Sequence, residues 1–230
     1  KVELIEIDYQ TDEKRAQQIA ERMITLDKDD FLTAPFGSGH TKVVAGVAER
    51  YGVPVMASVA SSESVFNQGY KFLFGTLAPN GGITETMATM FAKAVPGTKK
   101  IAILGREDVF PKSMATEMKA SAERAGLQVV YNETYPVGTL DHATALSKMK
   151  STQPDWIYIT GYSQDLILAR KQMVDLKVSA PIVTMLTGPS YQEYITALGP
   201  MANGVSSASW WHQSANFKSN DVFGSTDTFF

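Results

Sequence analysis

Apolar positions recur along this chain in two alternating rhythms. Val2-Glu-Leu-Ile-Glu-Ile7 alternates apolar and charged residues, the period of a half-exposed strand. Thr11 or Asp12 then stands where a helix cap is wanted, before Ala16, Ile19, Ala20, Met23 and Leu26 on one helical face. Phe31 to Ala34 reads as a short strand, followed by a helix that buries Val44, Val47, Ala48 and Tyr51. Gly52 occupies the expected left-handed helix stop, and Val53 to Met56 forms the next strand. Tyr70 to Leu77 reads as extended, and Thr84 to Val95 as a helix through Met87, Met90, Phe91 and Ala94. Pro96-Gly-Thr98 breaks the pattern.

The cycle restarts after that break. Ile101 to Leu104 is a buried-type strand, and Met114, Met118, Ala122 and Ala125 mark a helix stopped by Gly126. Leu127 to Tyr131 is a strand, Asp141 caps a helix through Ala145, Leu146 and Met149, and Trp156 to Ile159 is a further strand. Leu166, Ala169, Met173 and Leu176 mark the next helix, before a strand from Pro181 to Thr184. Such alternation predicts an α/β fold, with parallel sheets wound on both faces by helices. The restart predicts two lobes, residues 1–97 and 98–207, with 208–230 as a crossover and the start of a return segment. A cleft between lobes is a favoured place for a small-molecule pocket.

Two strand-to-helix junctions carry serines, Ala34-Pro-Phe-Gly-Ser-Gly-His40 and Met56-Ala-Ser-Val-Ala-Ser-Ser62. In parallel sheets such junctions lie at the carboxyl ends of strands, where ligands bind. Hydroxyls and free amides at helix starts suit a carboxylate. No acid/base set accompanies them, and the dinucleotide, P-loop and nucleophile-elbow patterns are absent, which argues for holding a ligand rather than transforming it.

Composition narrows the field further. The 230 residues are 44% apolar and 20% charged, ordinary for globular protein. A net charge of −3 with no basic stripe gives nucleic acid no footing. No apolar run reaches the length of a membrane span, so no membrane insertion is expected. With no cysteine, disulfides and thiolate chemistry are excluded, and His40, His142 and His212 lack metal-ligand spacing. No metal or cofactor is called for.

Several stretches, in order, carry a resemblance: Val2-Glu-Leu, Asp8-Tyr-Gln-Thr-Asp12, Pro35-Phe-Gly-Ser-Gly39, Tyr51-Gly-Val-Pro-Val55, Ala60-Ser-Ser62, Lys99-Lys-Ile-Ala-Ile-Leu104, Glu133-Thr-Tyr-Pro136 and Thr160-Gly-Tyr162. The chain resembles the solute-binding proteins of branched-chain amino-acid type ABC transporters, which have the type I periplasmic binding fold. The resemblance implies a monomeric two-lobed clamp outside the cytoplasm that delivers a small ligand to a permease. It also implies a strand and helix before Val2 and further chain past Phe230, so both ends of the fold are expected to be incomplete. Phe217 to Phe230 reads as the start of a helix.

The same resemblance implies site residues. Ser38 matches a serine that binds the ligand carboxylate, and Val59 and Ser61 match positions where a backbone group and a hydroxyl hold the polar head. Phe110 and Tyr162 match aromatics of the second lobe, Tyr162 closing over the ligand. Trp210 or Trp211 walls the pocket near the crossover. Leu186 falls where amino-acid binders carry an acidic residue, there or beside it, to pair with the ammonium. A buried unpaired ammonium costs several kcal/mol, so an aromatic or 2-oxo acid is favoured over an α-amino acid. Asp165 or Glu193 would supply the carboxylate if the register differs. Read blandly, Ser38 and Ser61 are helix caps, Phe110 and Tyr162 are core aromatics, and Glu107 and Asp108 are a polar loop. A branched-chain amino-acid binder and a receptor ectodomain of the same fold remain as alternatives; an α/β enzyme fits less well.

Overall fold

The computed structural model describes residues 3–210 and, beyond them, residues 214, 218, 220, 222, 224, 225 and 228. Asp12 caps α1 (Glu13–Arg22) by accepting the Arg15 amide at 2.7 Å. β1 (Leu32–Thr33), α2 (Ser38–Tyr51), β2 (Val55–Ala57), α3 (Glu63–Phe66) and β3 (Leu73–Gly75) follow. The strands form a parallel sheet in the order β1-β2-β3. Leu32, Val55 and Ala57 bury against Ala16 and Ala20 of α1 and Val44, Val47 and Ala48 of α2. Thr33, Met56 and Phe74, on the alternate positions, stay exposed. Gly52 ends α2 at φ 69°, the left-handed stop that the sequence predicts.

The second body holds β4 (Lys100–Arg106), α5 (Val109–Arg124), β5 (Gln128–Tyr135), α6 (Ala143–Ser151), β6 (Trp156–Thr160), α7 (Ser163–Asp175), β7 (Ile182–Leu186) and α8 (Gln192–Leu198), with α4 (Asn80–Ala94) packed on it. Its sheet is parallel, in the order β5-β4-β6-β7. Strand alternation sorts the side chains into two cores. Ala102, Leu104, Ile157, Ile159, Val183 and Met185 pack with α6, α7 and α8. Ile101, Ile103, Trp156, Tyr158, Ile182 and Leu186 pack with α4 and α5.

Two expectations are corrected. The alternation over Val2 to Ile7 predicts a strand, but residues 3–7 carry no regular structure and Leu4 is 76% exposed. Alternation makes a strand only where a ladder receives it, and among the described residues β1 bonds to β2 alone. The lobe boundary also moves. Met87 and Ala88 of α4 belong to the core of the second body, and Thr84 Oγ1 meets Ser121 Oγ of α5 at 3.0 Å. The chain therefore crosses between bodies near Thr76–Pro79 rather than at Pro96–Lys99. Trp210 Nε1 donates to the Ala78 carbonyl at 2.9 Å, which brings the later crossover beside the first. The expected helix from Phe217 lies almost wholly outside the described residues.

Candidate functional site

In the second sheet the chain leaves β4 toward β5 on one side and returns through β6 on the other, so a switch point opens at the carboxyl ends of β4 and β6. β4 delivers Arg106 there, and β6 delivers Tyr162 through Gly161. Arg106 Nη1 donates to Asp165 Oδ2 at 2.6 Å, and its Nε lies 3.6 Å from Asp108 Oδ2. Burial alone would lower the Arg106 pKa; the hydrogen bond and charge of Asp165, with Asp108 and Tyr135, outweigh it and raise the guanidinium above its ordinary value. Asp108 Oδ1 also accepts the Val109 amide at 2.7 Å, capping α5. The guanidinium lies over the Tyr162 ring, 5.0 Å from its centroid. Burial, then the charge of Asp108, pushes the Tyr162 phenol well above its usual range.

The first lobe meets this point with the start of α2. Gly37 takes φ 93°, a conformation that favours glycine, and its amide donates to the Val59 carbonyl at 3.1 Å. No side-chain hydrogen bond caps α2, and Glu13 Oε1 lies 2.5 Å from where a Cβ on Gly39 would begin. Ser38 Oγ accepts the amides of Ser61 and Ser62 at 3.4 and 3.3 Å, tying the two serine junctions together. A cavity of about 520 Å³ lies between the lobes, walled by Tyr9, Phe36 and His40 on one side and by Arg106, Asp108, Tyr162, Asp165, Thr187, Tyr191 and Glu193 on the other.

Of the residues singled out in the sequence, Tyr162 lines this cavity, and so do Asp165 and Glu193, the two acids named for a shifted register, with His40 and Asp108. Phe110 stacks on Tyr162 at 6.3 Å and meets Trp210 at 6.0 Å, so those three aromatics are brought together. Ser38 and Ser61 are also brought together, but at 1% and 2% exposure they sit beneath the surface. Val59 is exposed beside them. Leu186 is corrected: it is fully buried in the core face of β7, and the neighbouring Thr187 takes the cavity position. Trp211 and His212 lie outside the described residues. Sequence reasoning missed Arg106 and Phe36 and read Asp108 as a polar loop. Their signal was positional: Arg106 and Asp108 stand at the end of the buried β4, and Phe36 three residues past the half-buried β1.

A family model described as "Periplasmic binding protein" matches residues 1–224. A leucine-, isoleucine-, valine-, threonine- and alanine-binding protein of Pseudomonas aeruginosa is 26% identical over 165 residues, 72% of this chain and 44% of that protein. The chain thus spans under half the length of that curated relative. A leucine-binding protein of Thermotoga maritima superposes with a TM-score of 0.87 at 25% identity, over 97% of this chain and 62% of that one. An ABC-transporter solute-binding protein of Rhodopseudomonas palustris, solved with 3,4-dihydroxybenzoic acid, superposes at 0.71 and 18% identity, over 81% of this chain and 50% of that one.

Proposed function

The chain belongs to the periplasmic binding protein family, and from that premise we propose that it captures a small carboxylate ligand between its lobes, unchanged, for uptake by an ABC transporter outside the cytoplasm. An aromatic acid or 2-oxo acid is the favoured class. One observation supports this choice: Asp165, the most buried of the three carboxylates lining the cavity, is already paired with the Arg106 guanidinium. Asp165 holds Arg106 and the Tyr162 amide, Asp108 holds the Val109 amide, and Glu193 accepts from Gln164. The start of α2 has no side-chain cap, and Glu13 Oε1 and Asp108 Oδ1 lie 2.5 and 3.6 Å from where a Cβ on its Gly39 would begin. Ser38 accepts from two amides, which leaves its hydroxyl hydrogen to donate. Phe36, Tyr162 and Tyr191, which line the cavity, suit a flat ring, and stacking adds about 0.5–1.5 kcal/mol beyond area burial.

The cavity's charge favours a second reading, a branched-chain amino acid. Three carboxylates there face one guanidinium, and the excess suits an ammonium. The names of the Pseudomonas and Thermotoga relatives point the same way. A thermal-shift screen of leucine and valine against benzoate and 4-methyl-2-oxopentanoate decides between them. A ligand at a hundredfold its dissociation constant stabilises by about 2.7 kcal/mol. Stabilisation by the acids supports the first reading. A response to leucine or valine alone establishes the second.

A further inference from the structure

Asp165 stands at the third position of α7 with its side chain 8% exposed, and one of its oxygens serves two donors. Oδ2 accepts the Tyr162 amide at 3.1 Å, fixing where the chain leaves β6, and accepts Arg106 Nη1 at 2.6 Å. Arg106 in turn covers one face of the Tyr162 ring. The same carboxylate therefore holds that ring through its backbone and through its face. Beyond the ring stand Phe110 of the second lobe and Phe36 of the first, with centroids at 6.3 and 6.2 Å. The Tyr162 hydroxyl comes within 3.5 Å of where a side chain on Gly37 would begin. Tyr162 thus spans the cleft, and the direction of its ring decides how the lobes meet.

We propose that Asp165 is the positioning residue of the cleft: with Arg106 as its arm, it sets the Tyr162 ring against the ligand and against the first lobe. This rests on the reading that the cleft takes a ligand. The charge of Arg106 is answered by Asp165 and by Asp108, so the guanidinium works as a clamp on the ring rather than as the counter-ion of an anionic ligand. Both roles need geometry more than charge. A lysine at 106 has no planar fork to lie along the ring while it donates to Asp165.

The test compares the wild type with Asp165→Asn, Arg106→Gln and the double variant. Two readouts are taken: the affinity for whichever of benzoate or leucine the wild type binds, and the Tyr162 ring resonances in tyrosine-labelled protein, assigned with Tyr162→Phe. Asp165→Asn is nearly isosteric and keeps an acceptor for the Tyr162 amide, and melting temperatures check that each variant is folded. The expected result is a loss of affinity of roughly tenfold, about 1.4 kcal/mol, in each single variant, with the ring resonances shifted. The double variant should be no weaker than either single one, because the two residues act as one clamp. Wild-type affinity with unmoved ring signals overturns the proposal, as do losses that simply add. If the wild type binds neither probe, the ligand-class reading fails, and the ring signals alone decide the role of Asp165.

Discussion

The second lobe carries its cleft residues on a four-stranded sheet covered on both faces, whereas the first presents its own from three strands of two or three residues each. β6 and β7 are buried at every position, while Thr33, Met56 and Phe74 leave one face of the first sheet open. The two halves of the cleft are consequently held in different ways. Arg106 and Tyr162 leave strands locked between two cores, and an ion pair refines their placing. Ser38 opens α2, and Val59 and Ser61 sit on the loop after β2; amide-to-hydroxyl and amide-to-carbonyl bonds join the two. The second lobe's cleft residues thus follow strands packed on both faces, and those of the first follow short strands packed on one.

The sharpest way to break this comparison is to open a hole in each sheet. Trp156 is fully buried, meets Phe91 and Tyr158 edge-on, and donates from Nε1 to Thr184 Oγ1 at 2.9 Å. Trp156→Ala should cost about 3–5 kcal/mol, and Val55→Ala in the first sheet about 2 kcal/mol, read by urea denaturation. A larger loss from Val55→Ala would reverse the ranking of the two lobes.

Much of this division was already visible in the chain. The unbroken apolar runs Ile101–Leu104 and Trp156–Ile159 announce strands buried on both faces, and they are. The boundary was misread because Pro96-Gly-Thr98 is the stronger local break, although it is only the turn after α4. Which lobe α4 joins depends on what Met87 meets across space, and no local pattern records that. Among the candidate residues, Tyr162 follows β6 and lines the cavity. Leu186 closes the buried run of β7, and Thr187, the next residue, lines the cavity. Arg106 and Asp165 lie 59 residues apart, and their pairing exists only once β4 and α7 are side by side.

A smaller effect sharpens the account of the first lobe. Ser38→Ala removes the acceptor that joins the amides of Ser61 and Ser62, and leaving them unpaired should cost about 1–3 kcal/mol. Hydrogen exchange should show faster exchange at those two amides while β4 and β6 keep their protection. Equal loosening of both lobes would mean that they are not separately held.

The smallest effect is a matter of pH and belongs to the second lobe. His142 is buried edge-on to Tyr135, and its Nε2 has no hydrogen-bond partner. Burial lowers its pKa, against the opposing pull of Asp165 and Asp141. Its contribution to stability is therefore whole above the ordinary histidine value of about 6.5 and is lost as pH falls through the lowered folded value. His142→Phe should flatten the decline between neutral and mildly acid pH. An unchanged slope would assign the decline to other groups.

The central claim, a ligand held by both lobes, is tested most directly by small-angle scattering of the purified protein with and without a saturating ligand from the thermal-shift screen. Closure of the lobes about the crossings near Thr76–Pro79 and Trp210 should give a smaller radius of gyration in the saturated protein. Saturation with no change in that radius would contradict it.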